Sequence, residues 1–308
     1  VRFRNAGYPK VGLALGGGGA RGGIHVGVLK VLEDEGIPIH CVAGTSIGAL
    51  VGALYALTLS ARSVERRLLE YLESETFGRA RFSFMSEASE EKKLGLFTRI
   101  AAFIKKEFLL SLALSRPYLI SRERFLESLT FFLPDARVED TKIPFAAVAA
   151  DLETGEEVVI REGPLLDAVY ASSTYPGVVE AVRFDSRLLV DGGIVDMVPV
   201  QTTRDLGADV VIGVNAERGI HVSLDGLSGI EIVFRADDIL GNELTRCKSQ
   251  DADILVHPQE GEAKWYEFQK TPAYIHIGEK AALGKIPEIH KAIKKRRQWR
   301  LPIAIWGR

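Results

Sequence analysis

The sequence predicts one three-layer α/β/α domain with a mainly parallel central sheet and a helical insertion. Three observations carry that expectation. Over the first sixty residues, short apolar β-branched runs alternate with stretches of helical periodicity, the pattern of strands joined by crossover helices. After about seventy residues of further helical pattern, strand-like runs return and continue past residue 250. No repeat, low-complexity tract or long linker divides the 308 residues, and 46% hydrophobic with 26% charged residues suits a chain burying one sizeable core.

The elements follow in chain order. Residues 11–15 read as a buried strand, 16–23 as a glycine-rich loop, and 24–35 as a helix with Ile24, Val28, Leu29 and Leu32 at helical spacing. Gly36 stops that helix, and residues 37–43 form a second apolar run. A strand–helix–strand succession of this length implies a parallel pair with a right-handed crossover. Residues 41–61 carry no charge and place Gly44, Gly48 and Gly52 at four-residue spacing, imitating a membrane helix. The first third of that stretch favours strand, and Thr45-Ser46 would sit near the hydrocarbon midplane. A buried strand, a turn and a close-packed helix explain it better. Helices are expected over about 63–132, and strands at 143–149, 158–160, 181–184, 188–190, 209–214 and 254–256. The expected partition is a main domain over residues 1–284 and a basic helical tail over 285–308.

That tail holds eight Lys/Arg against the single acid Glu288, although the whole chain has a formal net charge of -2. It is a candidate for contact with anionic lipid or nucleic acid, and its bland alternative is a solvated helix face. Residues 82–114 add Phe97, Ile100, Ile104, Phe108 and Leu112 on one helical face, more apolar surface than one helix needs. Either a wall for an apolar ligand, an interfacial surface or a packed insertion accounts for it. Cys41 and Cys247 are too few for a disulfide framework and have no zinc-type spacing. With no apolar signal segment at the N-terminus, a cytoplasmic setting is expected, with peripheral membrane contact through 82–114 and 285–308.

Three local patterns carry chemistry. Gly44-Thr45-Ser46-Ile47-Gly48 is a serine between glycines at a strand-to-helix corner, the arrangement that lifts a hydroxyl clear of a sheet at a helix N-terminus. Gly16-Gly17-Gly18-Gly19-Ala20-Arg21-Gly22 satisfies a dinucleotide fingerprint, but no acid ends the second strand and no Gly-Lys-Ser/Thr follows. Glycine amides aimed by a helix N-terminus can instead hold an oxyanion, with Arg21 bracing the loop or adding positive potential. For the base, His25 and His40 precede the order expected of a histidine triad, whereas His221 and His257 follow it. Asp191-Gly192-Gly193 ends a strand and is the better candidate: a carboxylate there can take the Ser46 proton if burial raises its pKa.

The glycine loop, the Ser46 elbow and Asp191-Gly192-Gly193, with the block Ala171-Ser172-Ser173-Thr174-Tyr175-Pro176-Gly177 between them, resemble the patatin-like phospholipase family in order and spacing. The similarity runs over about residues 10–257 and is nearest to small bacterial members. It implies a patatin-like fold and a Ser–Asp dyad without histidine, acting on lipid or fatty-acyl esters without metal or cofactor. Carried over, Ser46 is the nucleophile, Asp191 the base, and Gly17, Gly18 and Gly19 the oxyanion loop. Arg21, Gly44, Gly48, Gly192 and Gly193 support them. Hydrolysis of phospholipid or lysophospholipid esters is expected. Acyl transfer by the same dyad and lipid binding by a weakly active site are the alternatives, and no nucleic-acid partner is expected.

Overall fold

The computed structural model of the chain describes residues 8–80, 118, 120–217, 229–258 and 267–300. Strand β1 (Val11–Leu15) is buried along its whole length. After the glycine loop, helix α1 (Gly23–Asp34) buries the stripe Ile24, Val28, Leu29, Val31 and Leu32, and the chain returns through β2 (Ile39–Thr45) parallel to β1, with Leu15 opposite Gly44. Helix α2 (Ile47–Thr58) follows at once. It is apolar all round because it is buried all round, which disposes of the membrane-helix imitation. Among the described residues no helix is long and apolar enough to cross a membrane.

Helix α3 (Ala61–Glu73) starts at Ser60, whose hydroxyl accepts the Ser63 amide at 3.2 Å. It leads to α4 (Glu75–Ala80), and α5 (Arg122–Phe132) lies beyond the expected apolar insertion segment. Residues 82–114, the expected interfacial surface, fall outside the described residues.

The rest of the sheet comes from β3 (Phe145–Asp151), β4 (Glu157–Ile160), β5 (Val182–Phe184), β6 (Arg187–Asp191), β7 (Val210–Val214) and β8 (Ile254–Val256). Pairing runs β5-β6-β3-β2-β1-β7-β8, with β4 also on β3; the β2-β1-β7-β8 block and the β2–β3 pair are parallel, the remaining pairs antiparallel. Strand β3 is the pivot. Its residues 145–148 pair with β2, residues 147–150 with β4, and residues 149–151 with β6. A strand has two edges, and β4 shares residues with both of the others. Strands β2 and β6 therefore lie on one edge of β3, running toward each other. Thr45 ends opposite Val148, and Asp191 ends opposite the next residue, Ala149.

The two faces of the sheet are unequally covered. Leu13, Leu15, Val42, Phe145, Ala147 and Ile212 join the main core with α1, α2, α6 (Leu165–Ser172) and α9 (Thr271–Arg300). Ala14 and Val211 point the other way, into a small cluster with Val198 and Val200 at the start of α7 (Val200–Asp205), and α8 (Gly229–Ser249) leads into β8. Cys41 is core: its thiol lies 3.7 Å from the Thr203 carbonyl, and burial pushes its pKa up to about 12.

The expected boundary at 284/285 falls inside α9, which runs unbroken from Thr271 to Arg300. Ala282, Ile289 and Ile293 are buried, so residues 285–293 belong to the domain, and the basic character is confined to the outer face and the last turns. Helix α9 begins beside the glycine loop, where Tyr274 lies 5.3 Å under the Arg21 guanidinium. At its far end His290 approaches Glu35 at 3.7 Å and Arg296 approaches Asp253 at 3.7 Å, beside the start of β8. Lys294, Lys295, Arg296 and Arg297 thus emerge at the N-terminal edge of the parallel strands, opposite the edge that carries Ser46.

Candidate active site

The glycine loop leaves β1 and is pinned on several sides. Gly16 donates its amide to the Val214 carbonyl at 2.9 Å, Gly17 to the Met197 carbonyl at 3.2 Å, and the Arg21 amide donates to the Gly18 carbonyl at 3.1 Å. Gly18 and Gly19 have φ of +145° and +54°, a conformation that glycine adopts without a Cβ penalty. Both are half-buried, and among the described residues neither amide has an acceptor. Gly17 differs: it is buried and its amide is engaged, while a Cβ there would stand 2.6 Å from the Met197 Sδ. Of the three glycines expected to donate, two have amides available, and the third lets Met197 pack against the loop.

Arg21 resolves its two expected roles in favour of bracing. Its side chain is buried; Nε donates to the Ala216 carbonyl at 2.6 Å and Nη2 to the Pro258 carbonyl at 3.1 Å. These bonds tie the loop to the chain leaving β7 and β8.

Ser46 sits at the elbow with φ 56° and ψ −125°, a backbone state that costs a non-glycine residue about 1–3 kcal/mol. Ser172 holds it there. The Ser46 amide donates to the Ser172 carbonyl at 3.1 Å and to its Oγ at 2.9 Å, while the Ser172 hydroxyl donates to the Val148 carbonyl at 2.6 Å. Thr45 donates its hydroxyl to the Asp196 carbonyl at 2.9 Å. Packing explains the flanking glycines. A Cβ on Gly48 would stand 2.1 Å from the Leu15 carbonyl oxygen, and one on Gly44 2.4 Å from that of Gly48. The start of α2 therefore rests directly on the end of β1, putting the elbow beside the glycine loop.

Asp191 closes the arrangement. Its carboxylate accepts from the Gly193 amide at 2.8 Å and lies beside the Ser46 hydroxyl. Burial pushes its pKa up to about 6, against the lowering effect of that amide and of the Ser46 hydroxyl. The head-to-head ends of β2 and β6 on β3 account for the meeting. Gly192 lets the chain pass close, since a Cβ there would lie 2.3 Å from the Val148 carbonyl oxygen. Gly193 contributes its amide.

Other titratable groups stand apart. Val11 donates its amide to His40 Nδ1 at 3.1 Å, at the far end of β1. His257 lies near Arg21, with its pKa lowered by burial, and His221 is outside the described residues. Two further acids lie outside any motif of the sequence. Glu217 is pushed up to about 7 by burial, with Thr245 on its carboxylate and Asp238 and Asp191 adding like charge; it belongs to the neighbourhood of Asp191. Asp196 is pushed up to about 7 by burial and faces Lys248 at 3.5 Å. No group of three or more metal-ligating side chains occurs among the described residues.

The patatin-like phospholipase family model matches residues 13–204, from β1 through α7. An uncharacterized NTE family protein of Mycobacterium bovis is 34% identical over 226 residues, 73% of this chain and 52% of the relative. Patatin-like phospholipase domain-containing protein 6 of Homo sapiens is 32% identical over 231 residues, 73% of this chain and 15% of that protein. The chain thus spans about half of the mycobacterial relative's length and much less of the human one. Human GIVD cytosolic phospholipase A2, solved with a fluorophosphonate inhibitor, overlays 95% of this chain and 60% of its own at a TM-score of 0.49 and 13% identity. With the family model covering the glycine loop, the elbow and the Asp191 turn together, the chain belongs to the patatin-like phospholipase family.

Proposed function

We propose that this chain is a serine acyl hydrolase that cleaves fatty-acyl esters of phospholipids or lysophospholipids. The observation that carries the reading is the placement of the half-buried Ser46 hydroxyl beside the buried Asp191 carboxylate, next to two glycine amides with no acceptor among the described residues. Asp191 removes the hydroxyl proton as Ser46 Oγ adds to the ester carbonyl carbon. The resulting oxyanion is held by the Gly18 and Gly19 amides, already oriented before substrate arrives. Collapse breaks the bond to the alcohol, which leaves with the proton from Asp191. Water then adds to the acyl-serine, gives its proton to Asp191, and the fatty acid departs as Ser46 regains its hydrogen. A pKa of about 6 suits a general base, since the group is ionised at neutral pH and remains basic enough to take a proton.

Turnover of a chromogenic fatty-acyl ester series, with and without an added alcohol acceptor, tests the reading. Free fatty acid as the main product, a dependence on chain length, and abolition in Ser46→Ala are expected. Acyl-alcohol as the main product would make the chain a transferase, and undiminished activity in Ser46→Ala would remove the nucleophile.

A further inference from the structure

We infer that His25 is a positioning residue for the glycine loop: its imidazole fixes the Gly16 carbonyl and thereby aims the Gly18 and Gly19 amides. The inference rests on the oxyanion role proposed for those amides. His25 lies in the first turn of α1 and is fully buried. Its Nε2 is 2.8 Å from the Gly16 carbonyl oxygen, which only accepts, so Nε2 carries the hydrogen. Nδ1 is then bare and has no partner among the described residues, consistent with that tautomer. Burial pushes the pKa down to about 4, so the ring is neutral at ordinary pH and takes no part in proton transfer.

The consequence follows from peptide planarity. In the Gly16–Gly17 peptide the carbonyl is held by His25 and the amide by the Met197 carbonyl, from opposite sides. Two peptides later, the Gly18 carbonyl is held by the Arg21 amide. The peptide between them, which carries the Gly18 amide, has fixed planes on both sides and little freedom left. Without His25 the first plane rests on one bond, and three adjacent glycines offer the widest backbone freedom of any sequence. A histidine donor also stands where Gly48 packs: the Cβ that Gly48 lacks would come within 2.6 Å of the same Gly16 oxygen. One carbonyl therefore joins the loop, α1 and the elbow helix.

Steady-state kinetics of His25→Leu, His25→Gln and His25→Asn, counted per active site by fluorophosphonate titration carried to completion, test this. Leucine removes the donor, glutamine places an amide near the Nε2 position, and asparagine falls short. We expect kcat to fall about 10- to 100-fold in the leucine and asparagine variants with KM within about threefold, and glutamine to recover most of the loss. Unchanged kcat per titrated site in the leucine variant, with only a lower Tm, would reduce His25 to a structural residue. Should the leucine variant not fold, equal kcat for glutamine and asparagine overturns the inference. A Ser46→Ala control separates the two levels: if it is inactive while all His25 variants turn over normally, the hydrolase reading stands and this one falls.

Discussion

The proposed nucleophile and base come from two differently built halves of the sheet. Ser46 and the glycine loop lie at the ends of β2 and β1, parallel strands followed by helices and packed so closely that Gly48 touches the Leu15 carbonyl. Asp191 lies at the end of β6, in a short antiparallel hairpin with β5. The cost in the first half is backbone strain, with Ser46 at φ 56°, and in the second desolvation, with Asp191 raised to about 6. Neither half makes a site alone. They meet because β3 pairs with β2 up to Val148 and with β6 from Ala149 onward, so the proposed pair is a product of strand register.

The largest effects come from removing either partner of the dyad: Ser46→Ala or Asp191→Asn lowers kcat for a fatty-acyl ester at least about 10³-fold. Gly18→Ala comes next, about 10²-fold, because its φ of +145° is disfavoured with a Cβ, and that atom would lie 2.9 Å from the Ala216 carbonyl oxygen. The same variant leaves Asp191 ionisation unmoved if the halves are independent, which its pH–rate profile reads.

Desolvation gives the third effect, on stability. The folded pKa of Asp191 lies above its ordinary value, so between about pH 4 and 6 the folded chain keeps a proton that the unfolded chain releases. Stability therefore falls as pH rises through that window. Asp191→Asn, which carries no charge, is more stable than wild type by on the order of 2–3 kcal/mol at pH 7, and the difference vanishes near pH 4. Denaturant melts at the two pH values check the sign. Ser172→Ala follows: it removes one of two acceptors on the strained Ser46 amide and lowers stability by about 1 kcal/mol and kcat about tenfold. Smallest is neutralisation of Lys294, Lys295 and Arg297, exposed at the opposite sheet edge, which changes turnover of a soluble ester less than about twofold.

The same contrast explains what the sequence made legible. Elbow and glycine loop are local turns, and a turn needs particular residues at fixed offsets, so both were readable, as was the Asp191 strand end. Strand and helix existence followed hydrophobic periodicity. What was not readable depends on contacts across the chain. Gly17 looks like its neighbours, yet the Met197 carbonyl, 180 residues away, takes its amide. Ser172 acquires its role only when α6 reaches the elbow. The excess of lysine and arginine after residue 285 concealed the stripe Ala282, Ile286, Ile289 and Ile293, whose helical spacing was the available sign that α9 is packed rather than a tail. His25 carried a comparable sign: a polar residue in the first turn of a helix that packs into the core needs a partner nearby.

The pH dependence of kcat/KM for wild type beside Asp191→Asn, on a soluble fatty-acyl ester between pH 4 and 9, tests the central claim most directly. The dyad predicts a wild-type rate that rises through a single ionisation near pH 6 and a variant that is nearly inactive and flat. A variant that keeps the wild-type rate, or the same ascending limb, would contradict it and assign the proton transfer to another group.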